Sequence, residues 1–523
     1  MPKVLPLKEF GQKGLNSDLP EWELSQEFLT DVNNIRIRDG KLLPFGGSES
    51  EVQLPVDFDP GCLQYVKVAA GNYWLIPGDN YVYVYDFSSV TDISNPSGYS
   101  GDTTDFWQIT MMGEIPIINN KNHYPEYWDP QTIITNMVAL PWDASNDWDA
   151  ENESCSVIRS HKRFLFALDL VSSGTEIPDG VRWSSAADAD SIPATWDPTD
   201  TTNFAGFTTL GTGSGRIIDG MSLRDAFVIY REKGIAVADY VGGDNVFEFR
   251  QLDTDAGLAC VDGIIEANEV HYFIGYTDIY MNDGNEVESI LHEDARRAFQ
   301  ADFNIEFAHR AFAIRNEISK EAWFCIPVGN GEYPTKAYIY NWKNDSWTVR
   351  DIDECTHGAY GGRDASALTW DTIPGNWDAN TISWNQSSSN PGSDTVFLCT
   401  KPSGAGQQGD LLVADNLTSQ PTGISALIER VGLALEGIHD TTTINRVYPR
   451  ISGTGKVNIQ LGSQDYPGAP IRWKDSEEFD PTTDRSITTR TTGELHCFRI
   501  TNADDNLWEF SGLDLEYVYA GAR

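Results

Sequence analysis

The 523-residue chain is short of the features that assign a function fastest. Its seven cysteines (Cys62, Cys155, Cys260, Cys325, Cys355, Cys399 and Cys497) are odd in number and scattered, with no CxxC pair. That spacing argues against a disulfide framework or a zinc knuckle and fits buried thiols in a chain folded in a reducing cytoplasm. No stretch approaches the ~18–20 apolar residues of a membrane span. The opening residues, with Lys3, Lys8 and Lys13 among few apolar neighbours, lack the apolar core of a signal peptide. Neither secretion nor membrane anchoring is expected. Bases are scarce: 37 Lys and Arg face 78 Asp and Glu, a net charge of -41. Between Val68 and Ile158 the only base is Lys121. Such a surface repels phosphates, so specific nucleic-acid binding is not expected.

Catalytic signatures are missing too. His292-Glu293 begins like a zincin HExxH, but the second histidine position holds Arg296. Gly211-Thr212-Gly213-Ser214-Gly215 is glycine-rich without a Walker lysine and reads as a turn. No GxSxG nucleophile elbow occurs. Asp188 with Asp190, or Asp278 with Asp283, are pairs that chance supplies in so acidic a chain. The eight histidines are dispersed. The expectation is no catalytic residue, no metal site and no cofactor. One acidic loop stands out, Asp143, Asp147, Asp149, Glu151 and Glu153, as solvated charge or the wall of a conduit; it lacks EF-hand spacing.

Glycine (45), proline (25) and abundant Asn, Asp and Ser break the chain every ten residues or so, which is strand-and-turn punctuation. Residues 31–47 read as a hairpin: Ile35 and Ile37 alternate with Arg36 and Arg38, and Asp39-Gly40 makes the turn. Six aromatic or branched strands, near Tyr81, Glu126, Val181, Ile235, Ile279 and Ala337, recur at intervals of roughly 40–60 residues, the rhythm of propeller blades. The fold class expected is all-β: strands over 1–50 joining a platform, propeller-like blades over 51–418, and a C-terminal β-sandwich over 419–523 after a linker at Ser419–Gly423. Helices are expected only near Glu293–Ala301 and Ala426–Leu435. Trp74, Trp128, Trp183, Trp342 and Trp347 read as core anchors whose indole N–H groups find carbonyls.

Several stretches, in order along nearly the whole chain, resemble one family. They include Gly14-Leu15-Asn16-Ser17-Asp18-Leu19-Pro20, Asn33-Asn34-Ile35-Arg36 with Arg38-Asp39-Gly40, and Ile115 to Asn119 leading to Pro125-Glu126-Tyr127-Trp128-Asp129-Pro130. Val181-Arg182-Trp183-Ser184, Leu223-Arg224-Asp225 and Ser511-Gly512-Leu513-Asp514-Leu515-Glu516 continue the series. The chain is similar in these to the tail nozzle (tail hub) proteins of short-tailed bacteriophages. The resemblance implies a propeller plus platform and a non-enzymatic virion protein made in the host bacterial cytoplasm. Its partners would be other copies in a homohexameric ring, the adaptor below the portal, and tail fibres; genome DNA would pass through the lumen without specific binding. The rival expectation is a glycan-binding propeller, lectin or glycosidase-like, with Trp142, Trp148, Trp377 and Trp384 exposed in polar loops for sugars to stack on.

Overall fold

The structure is a computed structural model that describes residues 2–15, 20–69, 71–99, 107–130, 136–199, 203–242, 246–252, 254–291, 293–363, 394–416 and 424–522. Its local logic is the alternating hairpin. In Tyr81–Tyr85, Val82 and Val84 are buried while Tyr81 points out. The turn back to Gly71–Gly78 holds Asn80 at φ 60°, a left-handed position that asparagine tolerates.

Among the described residues, repetition of this unit gives seven sheets, each built on four antiparallel strands: six have four strands and one has six. Blade 1 comprises Gln64–Val68, Gly71–Gly78, Tyr81–Tyr85 and Val90–Asp92; blade 2, Trp107–Met112, Ile115–Asn120, Glu126–Tyr127 and Val138–Ala139. Blade 3 runs Glu153–His161, Phe164–Ser172, Thr175–Trp183 and Gly206–Thr209; blade 4, Ile217–Leu223, Ala226–Arg231, Ile235–Tyr240 and Phe247–Gln251. Blade 5 is Ile264–Ala267, Val270–Ile274, Ile279–Asn282 and Val287–Ser289. Blade 6 is Phe312–Asn316, Glu321–Pro327, Pro334–Asn341 and Ser346–Asp351, widened by Gly14–Leu15 and Phe28–Leu29 in parallel. Gly14 is obligatory there, because a Cβ would sit 2.2 Å from the Trp347 carbonyl oxygen.

Blade 7 joins the two ends of the ring. His357–Gly361, Thr395–Cys399 and Gln408–Asn416 come late in the chain, and the outer strand is the early Gly47–Val56. The first strand of each blade faces the centre, and that of blade 7 lies against that of blade 1. The result is a closed β-propeller. The six strands read from the sequence are the third strands of blades 1 to 6.

The remaining strands form a sandwich from both termini. One sheet runs Ile487–Gly493, Asp440–Gly453, Trp508–Ala522, Lys41–Pro44 and Ile35–Arg38, with Lys3–Lys8 also on Trp508–Ala522. The other runs Arg472–Trp473, Val457–Gln464, Leu495–Asn502, Leu427–Leu433 and Asp31–Asn33, with Glu477–Phe479 beside Val457–Gln464. Phe10, Leu29, Ile35, Leu42, Phe498 and Trp508 share one buried core between them.

This platform is welded to the propeller through residues 34–46. Asn34 donates its N–H to Val349 (2.8 Å) and accepts at its side-chain oxygen from the Asp351 N–H (2.8 Å). Arg36, 4% exposed, donates twice to Glu321 of blade 6 (2.6 and 2.9 Å) and pairs with Asp415 of blade 7 (2.6 Å). Burial disfavours its charge, but Asp415 and Glu321 outweigh that and hold its pKa above the ordinary value. The guanidinium lies 4.6 Å from the centre of the Phe45 ring, and Arg350 lies 4.9 Å from Phe45 and from Trp323.

Three expectations need correction. Ala426–Leu435 is not helical: Leu427–Leu433 is a strand between Leu495–Asn502 and Asp31–Asn33, and Gly432 at φ 74° interrupts any helix. Glu293–Asp302 is an α-helix. The indoles of Trp74, Trp183 and Trp347 donate to carbonyls of Gly362, Phe204 and Ile290, whereas Trp128, though buried, leaves its N–H without a partner. Trp342 is only half-buried. The expected linker at Ser419–Gly423 lies outside the described residues.

Buried histidines tie blades together. Asn282 donates to the Tyr230 hydroxyl, Tyr230 to His271 Nδ1 (2.8 Å), and His271 Nε2–H to the Ser222 carbonyl (2.9 Å), which fixes a neutral tautomer. Burial lowers the pKa of His161, His271 and His496 to about 4. These groups bind fewer protons folded than unfolded, so their contribution is full above the unfolded pKa of about 6.5 and is lost as pH falls toward 4. Glu126, pushed by burial up to about 7, acts in the opposite sense. His123, also lowered by burial, adds to the three histidines, while His357, raised by its charged neighbours, sides with Glu126; with the histidines lowered by burial in the majority, urea denaturation should show a fall in stability from pH 6.5 to 4.5. His496→Gln should flatten that fall by up to about 1.4 kcal/mol per pH unit. An unchanged slope would refute the assignment.

Candidate functional site: the mouth of the central channel

Each blade is entered by a segment that crosses from the outer strand of the preceding blade to the channel. The topology therefore gathers these entry residues at one end of the axis, whatever their separation in sequence. Pro60 and Gly61, Arg216 and Ile217, Ala259 to Asp262, His309 to Ala311, and Thr356 with His357 converge there, with Trp107, Lys121, Asp169 and Tyr333. They surround a cavity of about 950 Å³, open solvent included. In a chain of net charge -41 its lining carries Lys121, Arg216 and Arg310 against Asp169 and Asp262.

At its floor a charged network crosses the ring. Arg159 of blade 3 grips Asp219 of blade 4 with two hydrogen bonds (both 2.7 Å), Asp262 before blade 5 with a third (2.6 Å), and the Ile109 carbonyl of blade 2 with a fourth (3.1 Å). The Asp262 N–H returns to Asp219 (2.9 Å). Burial opposes ionisation of Asp262, but Arg159 overcomes it and holds the carboxyl well below its usual range.

His357, at the start of blade 7, extends the network. Its Nε2 lies 3.5 Å from Asp262 Oδ2 and 3.9 Å from Cys62 Sγ, and its Nδ1 accepts the Leu63 N–H (3.2 Å). Burial resists a second proton on the ring while Cys62 and Asp262 favour it, pushing its pKa up to about 10. The Leu63 N–H opposes that charge, since a doubly protonated ring cannot keep the contact. Thiol and carboxylate share one imidazole nitrogen, unlike a nucleophile–base–acid relay, which needs them on opposite nitrogens. Among the described residues, Cys62, Asp262 and His357 are the one group of three whose potential metal-ligand atoms all lie within 4.8 Å.

The sequence reading missed this trio, because residues 62, 262 and 357 converge only once the ring closes. The available signal was position: each lies at or just before the first strand of a blade.

Of the acidic residues chosen from sequence, Asp143, Asp147, Asp149 and Glu151 sit in the connection between blades 2 and 3, where Asp143, Asp147 and Glu151 serve local turns, and Glu153 opens the first strand of blade 3. Asp143 accepts the N–H groups of Ser145 and Asn146, Asp147 that of Ala150, and Glu151 the Asn146 amide. Glu153 accepts from Ser172 (2.6 Å) and faces Arg182 at 3.7 Å, and Asp149 is exposed. Trp142 and Trp148 are not exposed as the glycan reading requires: both are buried and pack edge to face, with Trp196 next in the stack. Trp377 and Trp384 lie outside the described residues.

No family model and no curated protein matches the chain. Among solved structures it is similar to the extracellular domain of a one-component system from B. thetaiotaomicron (12% identity, TM-score 0.35), spanning 55% of this chain but only 35% of that one. It is also similar to the Swd1 β-propeller domain of Myceliophteria thermophila (7% identity, 70% and 99% coverage, TM-score 0.40). An exo-β-1,3-galactanase from Phanerochaete chrysosporium matches at 10% identity over 81% of this chain and 97% of its own (TM-score 0.27). No helix among the described residues is long and apolar enough to cross a membrane.

The Arg159 network yields a direct test. Arg159→Leu leaves the buried Asp219 and the half-buried Asp262 without their cation, which should cost about 3 kcal/mol. Denaturant midpoints of the purified variant measure it, and a loss under about 1 kcal/mol would mean the network is incidental.

Proposed function

We propose that this chain is a structural subunit of a phage tail nozzle, acting by shape and not by catalysis. The observation that carries the reading is the buried joint at Arg36, which fixes a closed propeller rigidly to a platform built from both chain ends. A subunit of a conduit under internal pressure needs such a joint, because a hinge between its two parts would let the ring deform. The net charge of -41 supports the same role, since an acidic wall lets DNA slide past without adhering. Copies would assemble as a homohexameric ring beneath the adaptor, with tail fibres as further neighbours, in the virion tail. The ordered stretches that resemble nozzle proteins include the joint itself, Asn33-Asn34-Ile35-Arg36.

The test is quantitative mass spectrometry of gradient-purified virions. One copy of this chain for every two portal subunits is expected for a six-fold ring under a twelve-fold portal. Absence from intact particles would overturn the proposal and favour a small ligand, such as a glycan, in the cavity at the channel mouth.

A further inference from the structure

We propose that Cys62, Asp262 and His357 bind one zinc-class divalent cation at the floor of the channel mouth, as a staple across the seam where the propeller closes. The inference is independent of the nozzle reading. It begins with donor chemistry: thiolate sulfur, imidazole nitrogen and carboxylate oxygen together suit zinc and its neighbours, whereas magnesium and calcium prefer oxygen alone.

Distance is the second argument. The separations of 3.5 Å (His357 to Asp262) and 3.9 Å (His357 to Cys62) are too long for good hydrogen bonds. They are close to the edges of a tetrahedron built on metal–ligand bonds of about 2.0–2.3 Å, whose donors lie about 3.3–3.6 Å apart. Small inward movements of the side chains complete the site, and water from the cavity can take the fourth position.

Charge is the third. Arg159 contributes +1, while Asp219, Asp262 and a Cys62 thiolate contribute −3, so a divalent cation brings the cluster to neutrality. Arg159 also holds Asp262 through Oδ1, leaving Oδ2 directed at His357, the outer-shell support that ligating carboxylates commonly have.

One contact opposes the site. A metal on Nε2 requires the imidazole proton on Nδ1, where the Leu63 N–H now points. Binding therefore strips Nε2 and leaves a single ring proton on Nδ1, releases the Cys62 thiol proton and the second proton of a charged imidazole to solvent, and costs the Leu63 hydrogen bond. One hydrogen bond is exchanged for three metal–ligand bonds.

The three ligands belong to the entries of blades 1, 5 and 7. A metal there would bind the first blade to the last on the axis, while Gly47–Val56 joins the ring at its rim.

The experiment uses the full chain, stripped with chelator and titrated with Co²⁺ and then Zn²⁺. Expected are one equivalent bound, a thiolate-to-cobalt charge-transfer band that zinc abolishes, and a Tm that rises with zinc but not with Mg²⁺. Cys62→Ser should remove the band. Should that variant fail to fold, Asp262→Asn keeps the thiol and should retain the band while weakening zinc binding about 10–100-fold. Absence of a saturable band in the wild-type chain, an undiminished band in Cys62→Ser, or unaltered zinc affinity in Asp262→Asn would overturn the site.

Discussion

The Arg36 guanidinium is the buried charge at the centre of the joint between the two parts of this protein. Arg36 is removed from water, and charge buried in that way is tolerable only when it is neutralised and fully hydrogen-bonded. Glu321 and Asp415 meet that condition from two different blades, so the contact exists only if the platform and both blades are seated at once. Around it, Arg350 donates to the Gly46 and Ala414 carbonyls, Gly46 N–H donates to Asp415, and Trp323 N–H donates to Glu321. The joint specifies one relative placement of the two bodies, because any slip strands a buried charge.

The channel mouth follows the same principle on a smaller scale. Arg159 sits between acids supplied by the fourth and fifth blades, and the network reaches the seventh through His357. Both clusters cross blade boundaries, where the four-stranded sheets themselves share no main-chain ladder. Apolar packing fills each sheet face, and these ionic contacts add fixed direction at the boundaries they cross. On the proposed nozzle reading, that rigidity is what the subunit would contribute.

How far the sequence revealed this depends on range. The hairpin at Ile35–Pro44 was legible because its alternation and its Asp39-Gly40 turn are local, and so was the helix at Glu293–Asp302. The third strands of six blades announced themselves with aromatic and branched residues. Blade 7 did not, because its third strand, Gln408–Asn416, carries no aromatic mark and its fourth comes from some 350 residues earlier. Leu427–Leu433 was misread as helix because its pairing partners are Asp31–Asn33 and Leu495–Asn502, which no window around residue 430 contains. The tryptophans Trp142 and Trp148 lie among polar loop residues in sequence, yet they pack edge to face on each other, and Trp148 on Trp196 from beyond the next three strands. Of the candidate site nothing was legible, since its chemistry is spread over entry segments that only ring closure unites.

If the Arg36 joint makes propeller and platform one body, calorimetric unfolding of the intact chain gives a single cooperative transition whose calorimetric and van't Hoff enthalpies agree, and Arg36→Met splits it into two. Two well-separated transitions in the wild-type chain, insensitive to that substitution, would contradict it.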